Sequence, residues 1–241
     1  MYVTGKRSQI KIHRAMIRFL LFLLVFILGG CHKIKPIQNL ETIENRDEAG
    51  RLVEKYTCLK GTTIKQGLYQ AFSPEGKVIE EAHYEKDSLH GTRKLFYKNG
   101  RPEVIEQYVM NQFEGPYQSF YSNGRLKIEG RYYKNEMSGD WKKYYETGEL
   151  MEVVTFEHNE ENGPFREYYK NGQLKTEGNY LNGDREHGLL KKYNENGQLI
   201  AKMQCLYGVC QTVWTLEAGD LEFDEAAFRA KVERIKNLEN E

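Results

Sequence analysis

Glycine and aromatic residues recur at a fixed interval within an otherwise mixed pattern of apolar and polar positions. The segments FYKNG, FYSNG, YYETG and YYKNG begin at Phe96, Phe120, Tyr144 and Tyr168, 24 residues apart. Each lies in a unit that opens with one glycine and has a second glycine nine positions later. Six such units, numbered one to six, begin at Gly67, Gly91, Gly115, Gly139, Gly163 and Gly188. A short, regular period is typical of repeat proteins, in which each unit is stabilised by its neighbours.

Each unit has the features of a β-hairpin. The residue before the second glycine is asparagine in four units, and Asn-Gly favours tight turns because both residues tolerate positive φ. A looser turn with Asn or Asp joins successive units. We interpret the repeated glycines as turn glycines. The intervening segments are rich in aromatic and β-branched residues and lack helical periodicity. The Asn-Gly asparagines are Asn99, Asn123, Asn171 and Asn196, and the joining residues are Asp87, Asn111, Asn135, Asn159 and Asn182.

The alternation of side chains along a strand predicts which aromatic residues face inward. The ring five positions after the first glycine of a unit, such as Phe120, is expected to pack inward, and the tyrosine after it to face the other side. We call these tyrosines the tyrosine ladder. It is a candidate binding surface, and packing of the same rings against the sheet or a neighbouring unit is the alternative. Its members are Tyr97, Tyr121, Tyr145 and Tyr169.

The units resemble the bacterial variant of the MORN repeat family, whose units follow the pattern G-x-[YW]-x-x-[FY]-Y-x-N-G-x-L-x-x-E-G-x-Y. The closest matches are GPYQSFYSNGRLKIEGRYYKNEMS in unit three and GPFREYYKNGQLKTEGNYLNG in unit five. The resemblance implies a mainly β fold over residues 57–212: an elongated single-layer antiparallel sheet of six stacked hairpins of about 24 residues. Units one and two depart from it, with Ala82 and Glu106 where units three and five have Gly130 and Gly178.

The segments at either end of the array differ from the repeats. Residues 211–223 are expected to supply a last strand, so that 213–241 form a terminal strand and a capping helix. Asp224 is the predicted N-cap. The helix either covers the sheet end or binds a partner. Residues 31–56 are interpreted as a tether. The apolar stripe of the helix is Phe228, Val232, Ile235 and Leu238.

Residues 1–30 have the pattern of a bacterial lipoprotein signal peptide that is removed. Basic residues end at Arg18, an apolar run covers residues 19–28, and Gly29-Gly30-Cys31 follows. Ten apolar residues are too few to span a bilayer as a helix. The resemblance to a lipobox implies lipidation of Cys31, hence a cell-envelope protein anchored to the membrane and facing the periplasm or exterior. Met16 is an alternative start.

Charge and cysteine usage exclude several function classes. The first 30 residues hold five basic residues and no acidic one, which leaves residues 31–241 with 30 basic and 35 acidic residues. That balance gives no electrostatic reason to bind nucleic acid. Cys205 and Cys210 enclose a hairpin-sized loop, so a disulfide between them is geometrically feasible. Cys58 is either a buried free thiol or pairs with another chain.

No catalytic, metal-binding or cofactor-binding pattern is present. The sequence contains no nucleophile elbow, zinc-protease motif or phosphate-binding glycine loop, and its six histidines are scattered. We therefore expect no enzyme, no cofactor and no metal. The leading hypothesis is a non-catalytic, lipid-anchored scaffold that binds another protein, and the family resemblance implies an antitoxin-like or immunity role with a toxin as partner. The alternative is a cell-wall or glycan-binding lipoprotein.

Overall fold

The computed structural model describes residues 39–239, so the predicted signal peptide and Cys31 lie outside the described residues. The described residues form one open antiparallel sheet of 17 strands and a single C-terminal helix. Each strand pairs with the next in chain order, except that β7 and β8, which are separated by one residue, both pair with β6. The predicted fold class, a mainly β antiparallel sheet of hairpin repeats, is confirmed.

The hairpins follow one another along the chain, two strands to a unit. Before unit one lie β1 (Leu40–Arg46) and β2 (Leu52–Leu59). The six units contain β3 (Lys65–Phe72), β4 (Val78–Glu85), β5 (Ser88–Phe96), β6 (Pro102–Val109), β7 (Gln112–Phe113), β8 (Gly115–Phe120), β9 (Leu126–Tyr133), β10 (Glu136–Tyr144), β11 (Leu150–Glu157), β12 (Glu160–Tyr168), β13 (Leu174–Tyr180), β14 (Gly188–Tyr193) and β15 (Leu199–Leu206). After them come β16 (Val209–Thr215), β17 (Gly219–Asp220) and helix α1 (Glu225–Glu239).

In units one to four, the turn within the unit is the looser one and the turn that leads to the next unit is the tighter one, which is the reverse of what the sequence predicts. At the Asn-Gly turn of unit two, Gly100 N donates to Tyr97 O and Tyr97 N donates to Arg101 O, and only Gly100 has positive φ. This is a type I turn followed by a left-handed glycine. The turn between units is the tighter one, because Lys86 and Asp87 both have positive φ, at 50° and 63°. The expected positive φ at Asn99 is therefore wrong.

The first glycine of each unit lies at or within a strand, and its interpretation as a turn glycine is wrong. In β5, Arg93 pairs with Ala82 while Leu89 pairs with Tyr84, so two extra residues bulge out on the β5 side. Gly91 lies in this bulge with φ of 104°. A bulge in this left-handed region favours glycine because a Cβ there is strained.

The sheet has two chemically distinct faces. The face that we call the aromatic face carries the residues two and seventeen positions after each first glycine, such as Trp141 and Phe156. The opposite, charged face carries cross-strand ion pairs, including Lys191–Glu177 with a 2.9 Å separation of Nζ and Oε1. The aromatic residue at the fifth position, expected to pack inward, is half-buried on the charged face, where Tyr193 donates to Glu177. That prediction is wrong because the buried rings stand three residues earlier.

The tether interpretation is wrong for residues 40–56. Strand β1 pairs with β2 over its whole length, and Ile43 lies opposite Tyr56, which in turn lies opposite Tyr69 of unit one. This hairpin therefore continues the sheet upstream of the six units, and its Tyr56 and Cys58 are both buried.

Helix α1 packs against the charged face at the last strands. Phe228 and Val232 are buried, and Phe228 lines a small cavity with Gln204 and Leu206 of β15. Asp224 Oδ1 accepts from Ala227 N at 2.9 Å, which confirms the predicted N-cap. Leu238 is 72% exposed and takes no part in this packing.

Candidate binding surface

The middle of the aromatic face is built from rings that lie over glycines. Trp141 of unit four is 7% exposed, and its ring lies over Gly130, where an added Cβ would come within 2.2 Å of it. Phe165 lies over Gly178 in the same way, at 2.9 Å. These two glycines have ordinary backbone conformations, so close approach of a ring, and not positive φ, requires them.

A concavity of 230 Å³ lies beside Trp141. Tyr132 and Phe156 contact the indole edge to face, with ring centroids 5.1 Å and 6.1 Å away. The indole Nε1 of Trp141 is buried and has no hydrogen-bond acceptor within the described residues. A buried donor without an acceptor costs about 1–3 kcal/mol. The other lining residues are Tyr117, Ile128, Met137, Lys142, Lys143, Glu152, Val154 and Glu161.

Unit two has an ionic network where unit four has Trp141 opposite Val154. Arg93 takes the place of Trp141, and Glu106 lies directly opposite it. Arg93 Nε donates to Glu80 Oε1 at 2.7 Å, and its Nη1 donates to Glu106 Oε2 at 3.2 Å. Burial of Arg93 acts to lower its pKa, but the two carboxylates outweigh burial and hold that pKa above its ordinary value. Burial, followed by the charge of Glu106, raises the pKa of Tyr108 to about 12.

The tyrosine ladder ties one unit to the next. Tyr121 donates its hydroxyl to Tyr144 O at 2.7 Å, and Tyr145 donates to Tyr168 O at 2.8 Å. Tyr97 and Tyr169 make the same bond, to Phe120 O and Tyr193 O. All four rings are half-buried and stand at the start of the turns that end in the second glycine of each unit. Their hydroxyls are therefore used inside the sheet, which favours the packing alternative over a free binding ladder.

The remaining predicted site residues are distributed as follows. Cys31 lies outside the described residues. Cys205 and Cys210 lie directly opposite one another on β15 and β16 and form a disulfide. Cys58 is a buried free thiol, and burial, with a further contribution from Glu41, raises its pKa. Among residues 39–239, no helix is long and apolar enough to cross a membrane, and no cluster of His, Cys, Asp and Glu could hold a metal ion.

A family model described as "MORN repeat variant" matches six segments that together cover more than half of the chain. The chain belongs to the MORN repeat variant family. The matched segments are residues 65–86, 89–110, 113–135, 137–158, 161–182 and 186–204. The hairpin of β1 and β2 lies upstream of the first matched MORN repeat, so the sheet extends by at least one hairpin beyond the family pattern.

Other comparisons add little to the family assignment. No curated protein matches this MORN chain. One solved structure, described as "Crystal Structure of TcdB2-TccC3", is 15% identical, with a TM-score of 0.17. The match covers 72% of this chain and 13% of that chain.

Sequence reasoning missed the residues that form the concavity and the ionic network. Trp141, Phe165 and Arg93 all stand two positions after the first glycine of a MORN unit, which is the G-x-[YW] position of the pattern. The pattern itself was therefore the available signal. The ladder was predicted instead because its tyrosines directly follow the fifth-position rings and were expected to face the other side of the sheet.

Proposed function

We propose that this MORN protein is a non-catalytic scaffold that binds another protein on its aromatic face, while a lipid on Cys31 holds it at the membrane. The observation that carries the proposal is the concavity at Trp141, where aromatic walls surround a buried indole N–H that has no acceptor in the part of the chain that the structure describes. Aromatic residues are favoured anchors at protein interfaces, and a backbone carbonyl of a partner is a suitable acceptor.

Membrane attachment and partner class are the finer parts of the proposal. Several acyl chains on Cys31 would give durable anchoring, where a single chain would be marginal. The chain would then display its sheet in the cell envelope. The family resemblance supports a toxin as the first partner to test, which the scaffold would neutralise by occlusion and without turnover.

Site-specific photo-crosslinking tests the binding face. A photoreactive residue is placed at position 143, exposed beside the concavity, or at position 166, equally exposed on the charged face. We expect a defined protein adduct from position 143 and none from position 166. The adduct should disappear when Trp141 is replaced by leucine in a protein that still unfolds cooperatively. Equal adducts from both positions, or none from 143, contradict the proposal.

A cell-based assay tests the antitoxin form. If a neighbouring gene encodes a toxin, a strain that expresses that toxin should survive when the full-length chain is present. A Cys31→Ala variant should lose protection if anchoring positions the scaffold. Failure of the wild-type chain to protect removes the toxin as partner but leaves the crosslinking result intact.

A further inference from the structure

Four carboxylates share the aromatic face with the rings of units four and five. Glu161 lies directly opposite Phe156, and Glu152 lies directly opposite Glu167. Since directly opposed residues of an antiparallel pair project from the same face, like charges are held side by side there, which is unfavourable in isolation. With Glu186, which lines the next concavity along the sheet together with Tyr180 and Glu167, we call them the acidic patch.

The acidic patch surrounds one aromatic stack. Tyr180 stacks on Phe165 with ring centroids 4.1 Å apart. Burial, and then all four carboxylates of the patch, raise the pKa of Tyr180. Burial, together with Asp184 and Glu152, raises the pKa of Glu161. Negative charge therefore converges on a ring whose face attracts cations.

Basic residues near the acidic patch neutralise only part of it. Lys175 pairs with Glu167 at 3.4 Å, and Lys143 and Lys192 face the patch from β10 and β14. Within the described residues, Glu152, Glu161 and Glu186 form no ion pair. These three carboxylates are available to a cation from outside.

Unit one shows how this face accommodates a cation. Lys65 places its Nζ 4.5 Å from the ring centroid of Tyr69, 5.1 Å from that of Tyr56 and 5.3 Å from that of Tyr84. The residue in the equivalent position of unit five, two before the first glycine, is Glu161. Unit one thus supplies its own cation to the rings, whereas unit five presents a carboxylate.

The repeat spacing indicates the conformation of a partner that would follow this face. Two strands at about 4.8 Å each give a distance of about 9.6 Å between units. A polyproline II segment advances about 9.3 Å over three residues, after which the same side faces the same direction. Side chains three residues apart on such a segment would therefore reach equivalent positions in successive units.

We propose that the aromatic face of units four to six binds a polyproline II segment of a partner protein that carries Arg or Lys at three-residue intervals. The basic side chains lie between the aromatic rings and the acidic patch, and the carbonyls of the segment, which lack internal hydrogen bonds, offer an acceptor to Trp141 Nε1. This inference rests on the proposed protein-binding function and names the chemistry of the partner.

A defined peptide tests the inference. The probe is a fluorescein-labelled peptide of four Pro-Pro-Arg repeats, and its anisotropy is measured with the full-length protein in detergent. We expect binding about ten-fold tighter than for a peptide of identical composition with its four arginines adjacent. The double variant Glu152→Gln, Glu161→Gln should weaken binding about ten-fold, and Lys143→Gln should strengthen it.

The matched control is Glu177→Gln, which removes a carboxylate from the charged face at the same level of the sheet. It should leave peptide affinity unchanged. Equal affinity for the two peptides would overturn the inference. So would a loss of peptide affinity in Glu177→Gln equal to that in the double variant, since either result indicates diffuse charge attraction. If the peptide fails to bind while position 143 still crosslinks a protein, this inference falls and the proposed function stands. If the peptide does not bind and position 143 crosslinks no protein, both this inference and the proposed function fail.

Discussion

Units two and four place different chemistry on the same backbone. In unit four, Trp141 lies opposite Val154 and packs among rings, whereas in unit two Arg93 lies opposite Glu106 and is held by two carboxylates. Both pairs occupy the same register between the same kinds of strands. The comparison teaches that the two side chains of the central cross-strand pair need stabilising contacts. Either aromatic packing or an ionic network supplies them.

The largest effect is expected from disturbing the close packing in unit four. Replacing Gly130 with alanine puts a Cβ within 2.2 Å of the Trp141 ring, so the indole must move. We expect a loss of about 3 kcal/mol in the free energy of unfolding, measured by urea denaturation. The loss should shrink in a Trp141→Leu background. In unit one, Ala82→Gly is the matched comparison, since Ala82 is buried at the position equivalent to Gly130 and lies opposite Arg93 in place of the indole. If Gly130→Ala lowers the free energy of unfolding equally in both backgrounds, contact with the Trp141 ring is not the cause of the loss.

The second largest effect is expected from disrupting the ionic network of unit two. Glu106→Ala removes one partner of Arg93 and the acceptor of the Tyr108 hydroxyl. We expect a loss of about 2 kcal/mol, less than for a fully buried pair because Glu80 still binds Arg93. Replacing the pair together, Arg93→Tyr with Glu106→Gly, reproduces the pattern of unit three and should recover most of that loss in the same urea titration. A double variant less stable than Glu106→Ala would contradict the equivalence of the two solutions.

The tyrosine ladder runs through both regions and should contribute modestly. Tyr121→Phe removes the hydroxyl that binds Tyr144 O and leaves the ring in place. We expect a loss of about 1 kcal/mol in thermal or urea unfolding, with crosslinking at position 143 unchanged. Tyr133→Phe is the control, because Tyr133 is 54% exposed. Loss of the partner adduct in folded Tyr121→Phe would restore the ladder as a binding surface.

The smallest expected effect is a difference between the two faces in how the stability of the protein depends on pH. Burial, with Asp184 and Glu152, raises the pKa of Glu161 above 4.5. The stability that this raised pKa contributes is present below pH 4.5, and it is lost as pH rises through the pKa of the folded state. Lys191 and Tyr193 lower the pKa of Glu177, so its contribution is present above pH 4.5 and is lost as pH falls. Glu161→Gln should therefore raise relative stability at neutral pH and Glu177→Gln should lower it, each by less than about 1 kcal/mol. Urea midpoints across this pH range measure both, and shifts of the same sign would contradict the assignment.

The sequence alone was sufficient to predict the fold class, the repeat boundaries and the capped helix. These depend on local chemistry: the second glycine of each unit and the Asn or Asp between units mark where the chain turns, and Asp224 followed by an apolar stripe specifies where the helix begins. Local chemistry did not reveal the hairpin of residues 40–59, because its turn at Asp47 and Gly50 lacks the repeat pattern, and Asp47 binds Arg51 instead.

Only the tertiary structure decided which rings are buried and which surface is available. Alternation along a strand identifies residues that share a face, but which face is buried depends on the side chains that strand pairing brings together, as it brings Trp141 beside Tyr132 and Phe156. The ladder hydroxyls found carbonyls one unit away, 23 or 24 residues along the chain, a contact that no local pattern contains. The acidic patch likewise exists because pairing sets Glu152 opposite Glu167, while the sequence shows only two glutamates fifteen residues apart.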